Sequence, residues 1–269
     1  MVIHSIQIQL CQCAWHTLHR APWSISKVEI SAALDGATAL ALSSSKRPKR
    51  LPFTLDLLIQ IRSQLDLASP LDVTIFACIT MTFWSMAQLG EFTVLVLKCY
   101  SPLKYILCSH MQEETDCNGL WVFWFTLPCT KVSKSREDVC WGKQDSLADP
   151  LEAIQAHFHI NNPPTGTALF SWHHSAGIHP LTCSAFMKRI DEVITSLSLP
   201  KMHFHRLCIG SVLEYLLRNT PFDIVKIMGW WSSNSFTLYL CKHAVILAPY
   251  VQNTPVMEQF SRLTMPPVC

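Results

Sequence analysis

The chain is 269 residues long, 49% apolar and 15% charged, with a formal net charge of +2 at pH 7. That is enough chain for one large core or two domains, too apolar for a disordered segment, and basic enough to admit an anionic partner without requiring one. None of its eight glycines falls in a GxG or GxxxxGK pattern, and HExxH, GxSxG and DxD motifs are missing. Phosphate-loop, zincin and serine-hydrolase chemistry therefore has no starting point.

Residues 1–42 predict a short helical piece, too small to be a stable domain alone. They lack the basic start and long apolar core of a secretion signal. Residues 43–54 are rich in serine and proline and hold Lys46, Arg47, Lys49 and Arg50, the composition of a linker. Its basic run reads as a phosphate-contacting strap or nuclear address, or as an ordinary solvated connector. Thr54 can cap a helix with Leu57, Leu58, Ile61 and Leu65 on one face.

Residues 73–90 carry no charge, the lower length limit for a membrane span. Five polar residues inside, acids at both ends and no basic flank favour a buried core helix, with Asp72 as its cap. Two β-type runs follow, FTVLVL (92–97) and LWVFWFTL (120–127), and 129–141 reads as a hairpin around a basic turn. Asp149-Pro150 and Thr182 start two further helices. Residues 202–219 predict a helix burying Ile209, Val212, Leu213, Leu216 and Leu217. Pro221 opens a short helix that Gly229 closes as a left-handed terminator. The order is mainly α with a small antiparallel β-sheet.

Twelve cysteines occur without any CxxC pair. Reduced thiols in an intracellular protein are the expectation, mostly as small buried apolar residues. The histidine pairs His157/His159, His173/His174 and His203/His205 lack the cysteine or carboxylate spacing that would make a metal centre persuasive.

Four segments in order, AQLGEFTV (87–94), TKVSKSRED (130–138), HFHRLCIGSVLEYLLR (203–218) and GWWSSNSFTLYL (229–240), make residues 46–252 resemble the catalytic domain of the tyrosine recombinases, the DNA breaking-rejoining or phage-integrase family. The closest flavour is the recombinase of crypton-type mobile elements. The resemblance implies a tyrosine recombinase catalytic-domain fold over 55–252, a remnant of the helical core-binding domain in 1–42, the linker at 43–54 and a tail at 253–269. It implies DNA recombination and integration in the nucleus, on double-stranded DNA, as a homo-oligomer, without metal, nucleotide, small-molecule cofactor or membrane.

Residue by residue, the resemblance makes Tyr239 the nucleophile that forms a 3′-phosphotyrosyl bond. A phenol of pKa near ~10 needs a site that stabilises its anion. Lys131 is the proton donor to the leaving 5′ oxygen, with Lys134 its substitute. His205 contacts the phosphate, and Trp231 or Trp230 fills the second His/Trp position. Lys46, Arg47, Lys49, Arg50, Lys134 and Arg136 are the phosphate-binding cations. The family's two arginines fall on Gln88 and Cys208, so activity is expected to be impaired, each lost donor costing about 3 kcal/mol of transition-state stabilisation. His203 and Arg206 also spell HxxR, which offers Arg206 as a replacement guanidinium. The alternative is a non-catalytic DNA-binding remnant of a mobile element.

Overall fold

The computed structural model describes residues 26–40, 52–128, 137–200 and 205–231, with isolated positions at 13, 15, 17, 18, 20, 245 and 246. The chain divides into two compact units, Met1–Arg50 and Leu51–Cys269. In the first, helix α1 (Lys27–Leu40) starts on a capping box. The Ser26 backbone N–H donates to Glu29 Oε2 at 2.9 Å, and the Glu29 N–H to Ser26 Oγ at 3.3 Å.

The second unit is built around one buried helix. After α2 (Leu55–Gln64), capped by Thr54 Oγ1 accepting the Leu57 N–H at 3.2 Å, helix α3 spans Pro70–Trp84 and is buried from Asp72 to Trp84. The uncharged stretch is thus a core helix, and among the described residues no helix is long and apolar enough to cross a membrane. Its hydroxyls are satisfied along the helix itself. Thr74, Thr80, Thr82 and Ser85 donate to the carbonyls of Pro70, Phe76, Cys78 and Met81 at 2.6–2.8 Å.

Asp72 does not cap this helix. Ser69 holds that position with Pro70 at N1, and Asp72 instead takes a bidentate contact from Arg189, Nε to Oδ1 and Nη2 to Oδ2, both 2.8 Å, plus the Asp66 N–H at 2.9 Å. Three donors hold its carboxyl below the usual carboxylate range against the opposing effect of burial.

Helix α5 (Pro150–Asn161) packs most heavily on α3, after the short helix α4 (Leu89–Phe92) and a three-stranded antiparallel sheet. Asp149 caps α5 as expected, accepting the Leu151 and Glu152 N–H groups. The sheet order is β1 (Gln112–Thr115), β2 (Trp121–Leu127), β3 (Glu137–Trp141), and Phe123, Phe125 and Leu127 of β2 face the core. The hairpin expected inside 129–141 has its first arm earlier: β2 pairs with β3, with Leu127 opposite Glu137, and residues 129–136 lie outside the described residues.

FTVLVL is not a strand. Phe92 closes α4, Val94 makes one isolated bridge to Thr182, and Leu95 is 76% exposed. A β-branched run forms a strand only where a neighbouring strand accepts its hydrogen bonds along its length. A second hairpin, β4 (Ser171–His174) with β5 (Gly177–Pro180), has no counterpart in the sequence reading.

Helix α6 (Cys183–Ser196) buries Phe186, Ile190, Val193 and Ile194, and α7 (His205–Leu217) buries Leu207, Ile209, Val212, Leu213 and Leu216. Leu217 is half-buried. Helix α8 covers Phe222–Met228. Its left-handed terminator is Trp230 (φ 50°), not Gly229 (φ −93°). Trp230 N–H bonds to the Ile227 carbonyl and Trp231 N–H to that of Lys226, a Schellman pair with a tryptophan where glycine is usual.

A buried polar cluster ties α5 and β4 to α3, and one glycine lets α7 approach the Phe53 backbone. His157 is fully buried: its Nε2 lies 3.1 Å from the Leu169 carbonyl, and its Nδ1 lies 2.9 Å from Thr74 Oγ1 and 3.1 Å from Asn161 Nδ2. The carbonyl requires the proton on Nε2, leaving Nδ1 as acceptor. Asn161 also donates to the Pro70 carbonyl and accepts the His173 N–H at 2.8 Å, tying α3, α5 and β4 together. Neither ring nitrogen of His157 is left for a metal.

Gly210 of α7 faces the Phe53 backbone, whose N–H donates to the Arg206 carbonyl at 3.1 Å, and a Cβ at 210 would overlap the Phe53 carbonyl. Gly210→Ala is expected to cost about 3 kcal/mol or more in urea unfolding, since backbone rather than a flexible side chain must move. A loss under about 0.5 kcal/mol would contradict that close approach.

Candidate functional site

Trp84 ends α3, Ser85 caps it, and Met86 turns the chain through a left-handed conformation (φ 56°) with its side chain buried. A non-glycine residue there is strained by about 1–2 kcal/mol. Gln88 is exposed at the N-cap of α4, and Glu91 Oε2 accepts the Gln88 backbone N–H at 2.8 Å.

Tyr215 of α7 and Arg218 just after it both hold Trp84, the last residue of α3. Tyr215 donates its hydroxyl to the Trp84 carbonyl at 2.7 Å, and its ring meets the Trp84 indole edge-on at 5.9 Å. The Arg218 guanidinium lies 4.5 Å above the Trp84 ring and donates to Gln144 Oε1 at 2.6 Å. One α7 turn from its start, Cys208 is buried with Sγ 3.8 Å from the Ala87 carbonyl. The two positions that the family resemblance gives to arginines thus flank one peptide unit, Ala87–Gln88. Trp231 packs in the same small apolar cluster as Met86, Val212, Leu213 and Val225, and its ring lies where a Cβ on Gly229 would be. Trp230 packs against the main core.

Electrostatically the turn is acidic. Burial pushes the Glu91 carboxyl up to about 7, opposed by the Gln88 N–H, and Glu91 has no ion-pair partner among the described residues. Burial pushes the Cys208 thiol up to about 11, and the nearby Glu91 charge adds to it. Arg206 is half-buried in the first turn of α7, and its buried Nε has no hydrogen-bond partner among the described residues. Both 206 and 208 are helical, so their side chains leave the axis about 200° apart. Arg206 does not point where Cys208 points.

His205 is the first residue of α7. Tyr239, Lys131, Lys134, Arg136, Lys46, Arg47, Lys49 and Arg50 lie outside the described residues. Among the described residues no group of three or more His, Cys, Asp or Glu side chains is placed to hold a metal ion. The sequence reading overlooked Glu91, although the spacing Gln88-x-x-Glu91 at a helix start was a signal for it.

No known family profile matches the sequence, and no curated protein matches it. Among solved structures it is similar to a Flpe mutant–DNA Holliday junction complex (8% identity over 84% of this chain and 57% of that chain, TM-score 0.46). It is similar also to XerA recombinase (11% identity, 93% and 83%, TM-score 0.48) and to a Flpe–Holliday junction complex (11% identity, 84% and 58%, TM-score 0.44). The chain spans under two thirds of the two Flpe chains. At these identities and scores the likeness assigns no residue a role.

Two outcomes follow from this geometry. Met86→Ala removes a buried side chain, a loss of about 2–4 kcal/mol, while Met86→Gly removes it and relieves the left-handed strain. The glycine variant should unfold at higher urea, by about 1 kcal/mol; equal midpoints would remove the strain argument.

The second concerns pH. His157 is held neutral, its pKa lowered to about 4 by burial, so its contribution is complete above pH 6.5 and is lost as pH falls toward 4. The raised Glu91 pKa acts oppositely: stability is complete below pH 4.5 and lost as pH rises toward 7. Each effect is at most about 3 kcal/mol, and between pH 4.5 and 6.5 they cancel. Glu91→Gln should therefore unmask stability rising with pH, and His157→Gln stability falling with pH, in urea midpoints measured from pH 4 to 7. Variants that simply parallel the parent would refute both assignments.

Proposed function

We propose that residues 55–252 form the catalytic domain of a tyrosine recombinase homologue, related to crypton-type mobile-element enzymes, that binds double-stranded DNA and in which phosphate clamping is impaired. The observation that carries this reading is the convergence on one turn of three of the four resembling segments: Met86 to Glu91, α7 from His205, and Trp231. The turn lies more than a hundred residues before α7 and Trp231, so it has no local reason to meet them there.

In this reading Tyr239 passes its phenolic proton to His205 and attacks the scissile phosphorus, a 3′-phosphotyrosyl bond forms as the bond to the 5′ oxygen breaks, and that oxygen leaves with a proton from Lys131. The reverse attack by a 5′ hydroxyl rejoins the strand and frees the tyrosine. His205 and Trp231 serve the phosphate, while charge accumulating on its non-bridging oxygens meets Gln88 and a buried, neutral thiol at Cys208 in place of two guanidinium groups. The buried Cys208 and the acidic character at Glu91 also favour the second reading, a DNA-binding remnant without cleavage. Its cations would be Lys46, Arg47, Lys49, Arg50, Lys134 and Arg136, and the run at 46–50 would double as a nuclear address.

The test is a nicked suicide duplex. The parent chain should bind duplex weakly, with affinity falling steeply in salt, and give no covalent adduct. Gln88→Arg combined with Cys208→Arg should restore an adduct that Tyr239→Phe abolishes. Absence of duplex binding at low salt would defeat both readings, and a Tyr239-dependent adduct in the parent would defeat the impaired one.

A further inference from the structure

Phe123, Phe125 and Leu127 turn one face of the three-stranded sheet to the core, so Val122, Trp124 and Thr126 point the other way. The register places Gln112 and Cys140 on either side of Trp124, Glu114 opposite Val122, and Asp138 opposite Thr126. Glu114 and Asp138 are therefore diagonal neighbours of the Trp124 indole on opposite sides, about 7–8 Å away and within reach of long side chains. Both carboxylates are exposed, and Trp124 is half-buried.

One end of this outer face runs into a cavity of about 400 Å³. Pro102, Leu103 and Leu107 wall it from the loop before β1, and Gln112 and Thr126 line it from the sheet. The Thr126 hydroxyl donates to Asp138 Oδ1 at 2.6 Å, which sets a carboxylate at the cavity rim. Asp138 Oδ2 and the Glu114 carboxyl have no hydrogen-bond or ion-pair partner among the described residues. No Lys or Arg lines the cavity, and Lys104 is exposed beside Leu103 without lining it.

An apolar recess beside an indole and two uncompensated carboxylates suits a chain carrying both apolar and cationic side chains. A lysine stem can lie along the indole while its ammonium meets a carboxylate, whereas the same carboxylates repel a phosphate backbone. The cavity falls in the roughly 300–1,000 Å³ range of ligand pockets, more room than one lysine stem fills. We propose that this outer sheet face docks a basic peptide segment of a partner protein, an apolar side chain entering the cavity and lysines meeting Asp138 and Glu114 across Trp124. The charges on the described part of this face are all negative, so the partner's positive charge is its complement. The inference does not depend on the recombinase reading.

Calorimetric titration of the full chain with the acetylated, amidated peptide Leu-Gly-Lys-Gly-Gly-Lys tests it. Binding should be measurable below about 1 mM at low salt and weaken as salt rises. Asp138→Asn combined with Glu114→Gln should weaken it about tenfold, and Leu103→Gln about threefold. All three positions are exposed, and asparagine at 138 still accepts the Thr126 hydroxyl, so urea midpoints should stay those of the parent. Affinity of the double variant within about twofold of the parent overturns the proposal. So does equal binding of the peptide with its leucine replaced by glycine, or of spermidine, since either would show a bare attraction for cations. No binding at about 1 mM, with self-association that the double variant abolishes, would assign the face to a second copy of this chain and overturn it as well.

Discussion

Thirteen consecutive residues of α3 are removed from water, and every polar atom among them needs a partner inside the protein. This constraint organises the second unit. Hydroxyls of Thr74, Thr80 and Thr82 turn back on the helix. Asp72 requires Arg189 and so fixes α6. Thr74 meets His157 and Asn161 and so fixes α5 and β4, and Trp84 requires the Ala148 carbonyl at its indole N–H while its own carbonyl is taken by Tyr215. An apolar helix could slide or rotate against its neighbours at little cost. These directional bonds allow one register.

The candidate site is a by-product of the same constraint. Because α7 is tied to the last residue of α3, the turn leaving α3 must run along α7, and Cys208 meets Ala87 there. Met86 accepts a left-handed backbone, and Glu91 is half-buried because the turn has no freedom to move outward. The site's electrostatics thus follow from packing. A carboxyl that on a free surface would ionise in the ordinary range is drawn toward neutrality, and a thiol that would be reactive in water is held inert.

Much of the helical frame was legible beforehand, because caps and periodicity are local. Thr54, Asp149 and Thr182 accept the N–H groups their positions imply, and the buried faces of α6 and α7 follow a 3.6-residue period. Strands were less legible. FTVLVL has strand composition but only one bridge, while the QEET segment of β1 and the histidine-bearing β4 have poor composition and do pair. Pairing depends on what lies alongside, which no short window contains.

At the site, the residue types at 88 and 208 were readable one by one, and so was the absence of positive charge at both. That Asp72 would take Arg189 instead of capping its helix, that Trp230 rather than Gly229 would turn left-handed, and that Glu91 would lie near Cys208 were decided only when distant segments met. The sequence by itself indicated most of the helical stretches and their apolar faces, since these depend on neighbours three or four positions away. The tertiary structure alone decided which polar groups are buried together, and with that their protonation, because desolvation and partner geometry belong to the packed chain.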